Sequence, residues 1–372
     1  MDFTKPVPGQ DFVNALPDAG CIVMAANIRV THSARGIMMA AQELDAAVMF
    51  EIAKSEIGYT AQPPKEFADR IIKTAQELEF NQPYVIHGDH ITIKENTPQA
   101  VSEGEQLIRD EIAAGFTSFA IDASHNFNAE AQDVRQQLAD NIEITTKLAG
   151  LIPETAGLEV EVGEVGKKDP ETGQQALTSV EEAETFVKAV TDAGFSPNLL
   201  ATNNGTSHGN IYDEQGNVVE QVGIDIDRTK AIADAISSYG VYVAQHGITG
   251  TPLNLMHLLI GAGVFKGNVG TNWQNIALET MPQELVSRME DWTLSSEHAE
   301  KLKAKKPGIS RGELIGKNIK HSIKEFKDEI DALPEEAVAK IDEATKKSAL
   351  DFLQAFKAEG TAGKVKSYIE SK

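Results

Sequence analysis

Up to about residue 275 the chain alternates short apolar runs with longer stretches of helical periodicity. The apolar runs are Cys21–Ala25, Ala47–Ile52, Tyr84–Asp89, Ser118–Asp122, Leu158–Val162, Asn198–Thr202, Val241–Gln245 and Val264–Asn268. They show little polar alternation except at their ends, the pattern of strands covered on both faces of a parallel sheet. Between them lie amphipathic stretches such as Thr97–Ala114, Ala129–Leu148, Val180–Ala193 and Asp225–Ser238. Glycine precedes several strands, at Gly115, Gly194 and Gly263, where a helix end favours a residue tolerant of positive φ. Such repeats predict an α/β fold, a (β/α)8 TIM barrel; an open doubly wound sheet is the alternative, and even strand spacing favours closure.

After about residue 290 the strands stop. Ser310–Asp331 and Pro334–Ala358 are charged and helical, and Val338, Ile341, Phe352 and Phe356 share a face of the second. The expected division is a barrel over residues 1–289 carrying the site, and a helical C-terminal extension over 290–372. That extension is expected to pack on the barrel or on a neighbouring subunit.

Composition narrows the classes. The 372 residues are 41% hydrophobic, enough for a large core, and no run approaches the roughly 20 apolar residues of a membrane helix. The net charge of −22, from 34 basic and 56 acidic residues, argues against non-specific nucleic-acid binding, which needs a basic face. Any phosphate ligand would therefore rely on backbone N–H groups and a few placed cations. The first residues lack a signal-peptide pattern, and the single cysteine, Cys21, fits a reducing compartment, so a cytoplasmic location is expected.

The polar exceptions at the strand ends carry the chemistry. They are His87-Gly88-Asp89-His90, Asp122, Glu159 with Glu161, His208 and His246. In a parallel barrel these ends meet at one mouth. Three imidazoles from different strands, His90, His208 and His246, suit Zn²⁺ with an open fourth position, and affinity alone does not separate it from Co²⁺, Mn²⁺ or Fe²⁺. Strand alternation turns Asp89 and His90 in different directions and points Asp89 inward with His87. Asp89 is then either a proton carrier or an orienting partner of a metal-bound imidazole. Asp122 and Glu161 would hold a second cation or orient the histidines. Glycine-rich turns at Asn204–Gly209, His246–Thr251 and Asn268–Asn272 suit an anion.

With these pieces in order, the chain resembles the class II, metal-dependent fructose-bisphosphate aldolases and their tagatose-bisphosphate relatives. The matching segments are Ala26-Asn27-Ile28, Ser55, His87–His90, Ile121–His125, Leu158–Gly163, Gly205–Gly209, His246-Gly247 and Asn268. The resemblance implies aldol cleavage of a ketose bisphosphate, fructose 1,6-bisphosphate first, to dihydroxyacetone phosphate and glyceraldehyde 3-phosphate, as in glycolysis and gluconeogenesis. It implies a metal on His90, His208 and His246, with Asp122 and Glu161 at a second metal or monovalent cation. Asp89 would move the proton at the C4 hydroxyl. Gly209, Gly247, Thr249, Asn268 and Thr271 match phosphate and hydroxyl contacts, and Asn27 and Ser55 match further substrate contacts. The expected partners are a sugar phosphate and further copies of the chain.

The sequence also departs from the family. Gly247-Ile248-Thr249-Gly250 stands where Gly-Gly-Ser-Gly is usual, and Gly270 where an acid is usual. The loop that ordinarily carries a catalytic glutamate reads Gly166-Lys167-Lys168-Asp169-Pro170-Glu171, so Asp169 aligns with that base and Glu171 is the alternative. Two further readings stand beside the first. One keeps the mechanism but changes the sugar to tagatose bisphosphate or another keto-sugar phosphate. The other is a non-catalytic partner subunit, disfavoured because the three histidines and Asp89 are retained.

Overall fold

The structure, a computed structural model, describes residues 3–17, 19–163, 176–206, 210–213, 216–220 and 223–372. Eight parallel strands close into a barrel. They are β1 (Val23–Asn27), β2 (Val48–Ala53), β3 (Tyr84–Thr92), β4 (Ser118–Asp122), β5 (Gly157–Val162), β6 (Leu199–Thr202), β7 (Tyr242–Gln245) and β8 (Val264–Val269). Closure is made by β1 on β8, with Val23 opposite Lys266 and Ala25 opposite Asn268, which excludes the open sheet. The strands are buried almost throughout, as their near-continuous apolar sequences require.

Gly115, Gly194 and Gly263 adopt φ of 94°, 93° and 84°, the left-handed geometry expected where helices stop before strands. The stretch Ala129–Leu148 is not one helix. Asp133 caps residue 136 and starts a short helix, Val134–Gln137, and Ala139–Ala149 follows after a break at Leu138. β1 begins two residues later than its apolar run, because the Ile22 amide donates to the Phe356 carbonyl at 2.9 Å instead of to a strand.

At the end where the strands begin, the N-terminal segment forms a plug. Phe12, Val13 and Leu16 cluster with Val23, Met49, Val85 and Leu199, and Gly9 N donates to Thr117 O at 3.1 Å. A Cβ on Gly9 would lie 2.3 Å from that carbonyl, so only glycine permits the approach. The opposite mouth is left for chemistry.

The C-terminal region is helical. Arg311–Asn318, Ser322–Glu325 and Lys327–Asp331 form short pieces, and Glu335–Ala355 forms one long helix. The long helix packs on Ser33–Glu43 and Thr271–Thr280, with Phe352 edge-on to Trp273 at 5.7 Å. It thereby fills the ring of helices between β8 and β1. Among the described residues no helix is long and apolar enough to cross a membrane.

Candidate active site

The site starts from an irregularity in β3. Strict alternation would separate the Asp89 and His90 side chains, but they do not diverge. His90 takes φ +43°, the register against β4 slips between Gly88 and Ile91, and ligand atoms of Asp89, His90 and His246 lie within 4.8 Å of one another. A left-handed non-glycine residue costs about 1–3 kcal/mol and persists only where its surroundings enforce it. Gly88 is part of that enforcement. A Cβ there would sit 2.1 Å from Oε2 of the buried Glu111, so the strand can press against the helix Pro98–Ala114 only with glycine.

Two imidazoles face each other across the mouth. His90 Nε2 lies 2.6 Å from His246 Nδ1. The outer nitrogen of each ring is held by acids: His90 Nδ1 is 3.0 Å from Glu161 Oε2 and 3.3 Å from Asp122 Oδ2, and His246 Nε2 is 2.8 Å from Glu159 Oε1. Asp122 is itself fixed by the Ser124 amide and hydroxyl and by the Thr92 hydroxyl. Carboxylates fixing the far nitrogens while the near ones converge is how metal-bound histidines are oriented. Burial alone would lower the His90 pKa, but Glu161, Asp89 and Asp122 push it well above the usual imidazole range. That surplus of negative charge around two converging nitrogens fits a divalent cation taking N and O ligands.

Asp89 lies between this pair and the barrel interior. Asn27 Nδ2 donates to one of its oxygens at 2.9 Å and Asn268 Nδ2 to the other at 3.3 Å. Burial would raise this carboxyl, yet His90, Lys266, His246 and His87 hold it well below its ordinary value. It is therefore ionised, and 2% exposed. The resemblance assigns Asn27 and Asn268 to substrate; here both amides also clamp the carboxylate. Asn268 Oδ1 is buried without a hydrogen-bond partner among the described residues, an acceptor suited to a ligand hydroxyl.

Beneath the mouth is a charged layer in which Lys266 and Glu51, which the sequence reading missed, join Glu159 and Asp89. Lys266 Nζ lies 2.8 Å from Glu159, 3.0 Å from Glu51 and 3.9 Å from Asp89. His87 belongs to this layer: its Nδ1 meets the Ser118 hydroxyl at 2.7 Å, and burial with nearby Lys266 lowers its pKa to about 3, leaving it neutral. A lysine inside the apolar run Val264–Asn268 was the available signal, since an interior strand carries one only when it is paired.

The mouth opens into a pocket of about 340 Å³. Asp89, His90, His246, Asp122 and Glu161 line it, together with Asn27, Ser55, Gly247, Thr249, Asn268 and Thr271. Eleven residues singled out from sequence thus share one cavity. Four others, His208, Gly209, Asp169 and Glu171, lie outside the described residues. Arg29, Glu56, Tyr59 and Lys320 also line the pocket, and no motif marked them.

Residues 7–361 match the family model described as fructose-bisphosphate aldolase class-II. The chain belongs to the class II fructose-bisphosphate aldolase family. Class II aldolases depend on a metal, and the Asp89–His90–His246 group is a place where this member can hold one. No curated protein matches its sequence. The YdjI aldolase of Escherichia coli K12 shares the fold at 18% identity and a TM-score of 0.59, over 95% of this chain and 98% of that one. A Campylobacter jejuni fructose-bisphosphate aldolase does so at 15% identity and 0.60, over 96% and 97%. A probable tagatose 6 phosphate kinase of Sinorhizobium meliloti 1021 does so at 16% identity and 0.55, over 94% and 98%. At these identities the structures establish the barrel, not the substrate.

Proposed function

We propose that this aldolase cleaves and forms a ketose bisphosphate, with fructose 1,6-bisphosphate the first substrate to test. The observation that carries the reading is the ionised, amide-clamped Asp89 carboxylate beside the converging His90 and His246 nitrogens. Cleavage of the C3–C4 bond needs a base at the C4 hydroxyl and a sink for the electrons left on C3. Asp89 takes the hydroxyl proton as the bond breaks, and Asn27 and Asn268 hold it in place. A divalent ion, Zn²⁺ for preference, held by His90, His246 and His208 would polarise the ketone and stabilise the carbanion formed from it. Glu159, Glu161 and Asp122 orient the imidazoles, and Asp169 or Glu171 returns a proton to C3.

Gly247, Thr249 and Thr271, with Gly209, are proposed to hold a phosphate at the β6–β8 side of the mouth, where barrels commonly bind one. Ser55 is proposed to touch the sugar from the β2 side. A homo-oligomer in the cytoplasm, acting in glycolysis or gluconeogenesis, completes the reading. Tagatose bisphosphate and other keto-sugar phosphates follow the same chemistry, and Gly270 with the altered β7 loop favours keeping them in view.

The test is incubation of metal-loaded protein with fructose 1,6-bisphosphate, with and without a chelator, following dihydroxyacetone phosphate. Chelator-sensitive release is expected. A metal-bearing protein that cleaves tagatose bisphosphate alone would overturn the fructose assignment, and one that cleaves neither would overturn the aldolase reading.

A further inference from the structure

A second cavity, of about 620 Å³, opens at the seam where the long C-terminal helix Glu335–Ala355 meets the helices Ser33–Glu43 and Pro64–Glu77. It shares no residue with the active-site pocket. Gly36 sets the spacing of the seam. A Cβ there would lie 2.5 Å from the Asp342 carbonyl oxygen, so the two helix backbones touch. Beside that contact Arg35 Nε and Asp342 Oδ2 face each other from opposite sides of the seam at 3.3 Å.

The pair is incomplete at both ends. The Asp342 side chain is 13% exposed, and its other oxygen, Oδ1, is buried with no hydrogen-bond partner among the described residues. Burial pushes this carboxyl up to about 6, and the Arg35 charge offsets only part of that. Among the described residues Asp342 is the one partner of the Arg35 guanidinium. The other cations of the cavity are already spent: Arg70 binds Asp331 at 2.7 Å and Glu66 at 2.8 Å, and Lys73 faces Glu77 at 3.7 Å. A buried carboxylate left without a donor calls for a partner or a function. Next to it, the half-buried Leu333 and Val338 add apolar surface to the cavity.

These features select a ligand by its charges. A simple anion drawn to Arg35 would lie beside the Asp342 carboxylate and be repelled, and a simple amine drawn to Asp342 would meet Arg35. A ligand carrying both charges avoids either penalty. In an α-amino acid the ammonium and carboxylate sit on one carbon. Set antiparallel to the ion pair, it gives Asp342 a donor and Arg35 an acceptor at once. We propose that this seam is a binding site for a free aliphatic α-amino acid, its charged end on Asp342 and Arg35 and its side chain against Leu333 and Val338. The occupant bridges the C-terminal helix to a helix of the barrel, and the site does not depend on the aldolase reading.

The experiment is calorimetric titration of the full chain in mildly alkaline buffer, where the Asp342 carboxyl is ionised. The probes are L-leucine and its two halves, 4-methylpentanoate and 3-methylbutylamine, each lacking one of the charges. Leucine is expected to bind roughly tenfold or more tightly than either half, the scale of one charge-assisted contact. Asp342→Asn keeps the shape and deletes the charge. It should bind leucine roughly tenfold more weakly while melting no lower than wild type, because the charge it removes is buried at a cost. Arg35→Gln should weaken leucine and 4-methylpentanoate alike. The site is overturned by a wild type that does not bind leucine, by a half that binds as tightly as leucine, or by unchanged leucine affinity in either variant.

Discussion

Asn27 Nδ2 lies 2.9 Å from Asp89 Oδ2, joining the end of β1 to the end of β3 across the closed sheet. The same amide reaches Glu56 at 3.2 Å, so one side chain holds two carboxylates. Asn27→Ala removes a donor to the ionised form of Asp89, so the carboxyl pKa rises and the acid limb of the activity profile moves to higher pH. We predict a kcat loss of roughly tenfold for this variant, and about a hundredfold or more for Asp89→Asn, which removes the base. Metal content should stay unchanged in Asp89→Asn. Loss of metal in that variant would assign Asp89 to holding the ion.

His246→Ala tests the proposed metal centre directly. The imidazole bridges His90 and Glu159, and its loss removes one of the two converging ring nitrogens. Expected outcomes are loss of bound metal by atomic absorption and loss of activity together. Adding Zn²⁺ should raise the melting temperature of metal-free wild type, because a ligand that binds only the folded state stabilises it, and should leave the variant unmoved. An equal rise in both would place the ion elsewhere.

Gly88 and Glu111 make a tighter prediction about the β3 irregularity. With 2.1 Å between a new Cβ and the Glu111 carboxyl, Gly88→Ala forces a fully buried side chain to move. About 1–3 kcal/mol of stability should be lost, as for other overpacked core sites. Glu111→Ala in the same chain should restore part of it, a coupling measurable by urea unfolding of the four proteins of a double-mutant cycle. Additive losses would mean that the glycine is needed for another reason.

What was legible in the sequence was the strand pattern and the polar residues that end it. Each of the eight runs became a strand because parallel strands buried on both faces read as unbroken apolar segments. Asp89, His90, Asp122, Glu161 and His246 were legible for the same reason, since charge at the end of such a run needs a cause. Alternation failed at His90, where a left-handed residue overrides the two-residue period. Arg29 and Lys320 were not legible at all. Exposed and half-buried cations look alike in sequence, and their meeting over Tyr59 depends on a packing 291 positions apart (320 less 29) that no local pattern records.

Lys266 is the charge on which the barrel interior turns. Burial would raise Glu159, and Lys266 together with His246 holds it well below the usual carboxylate range. Lys266→Met keeps the side-chain length and deletes the charge, leaving Glu159 buried beside a neutral neighbour. Removing one partner of a buried pair costs about 3–5 kcal/mol, and that is the loss expected in the urea midpoint. Lys266→Met with Glu159→Gln should recover part of it, because Glu159 then carries no charge while Glu51 and Asp89 still lack their cation. A single variant as stable as wild type would show that solvent or protonation already relieves the pair.

His298 and His321 stack face to face, with ring centres 3.7 Å apart and planes within 3°. Burial, the His298 ring and the neighbouring Lys320 lower the His321 pKa to about 4. The unfolded chain therefore binds a proton at this site below about pH 6.5 that the folded chain refuses until about pH 4. Between those values the unfolded state carries more protons, so stability contributed here is full above pH 6.5 and falls as the solution is acidified. We predict that His321→Asn flattens the pH dependence of the melting temperature between pH 6.5 and 4.5 relative to wild type. The other titrating groups are common to both proteins, so the difference between the two curves isolates this pair. Parallel curves would mean that His321 titrates alike in the folded and unfolded protein, so that the stack does not oppose its protonation.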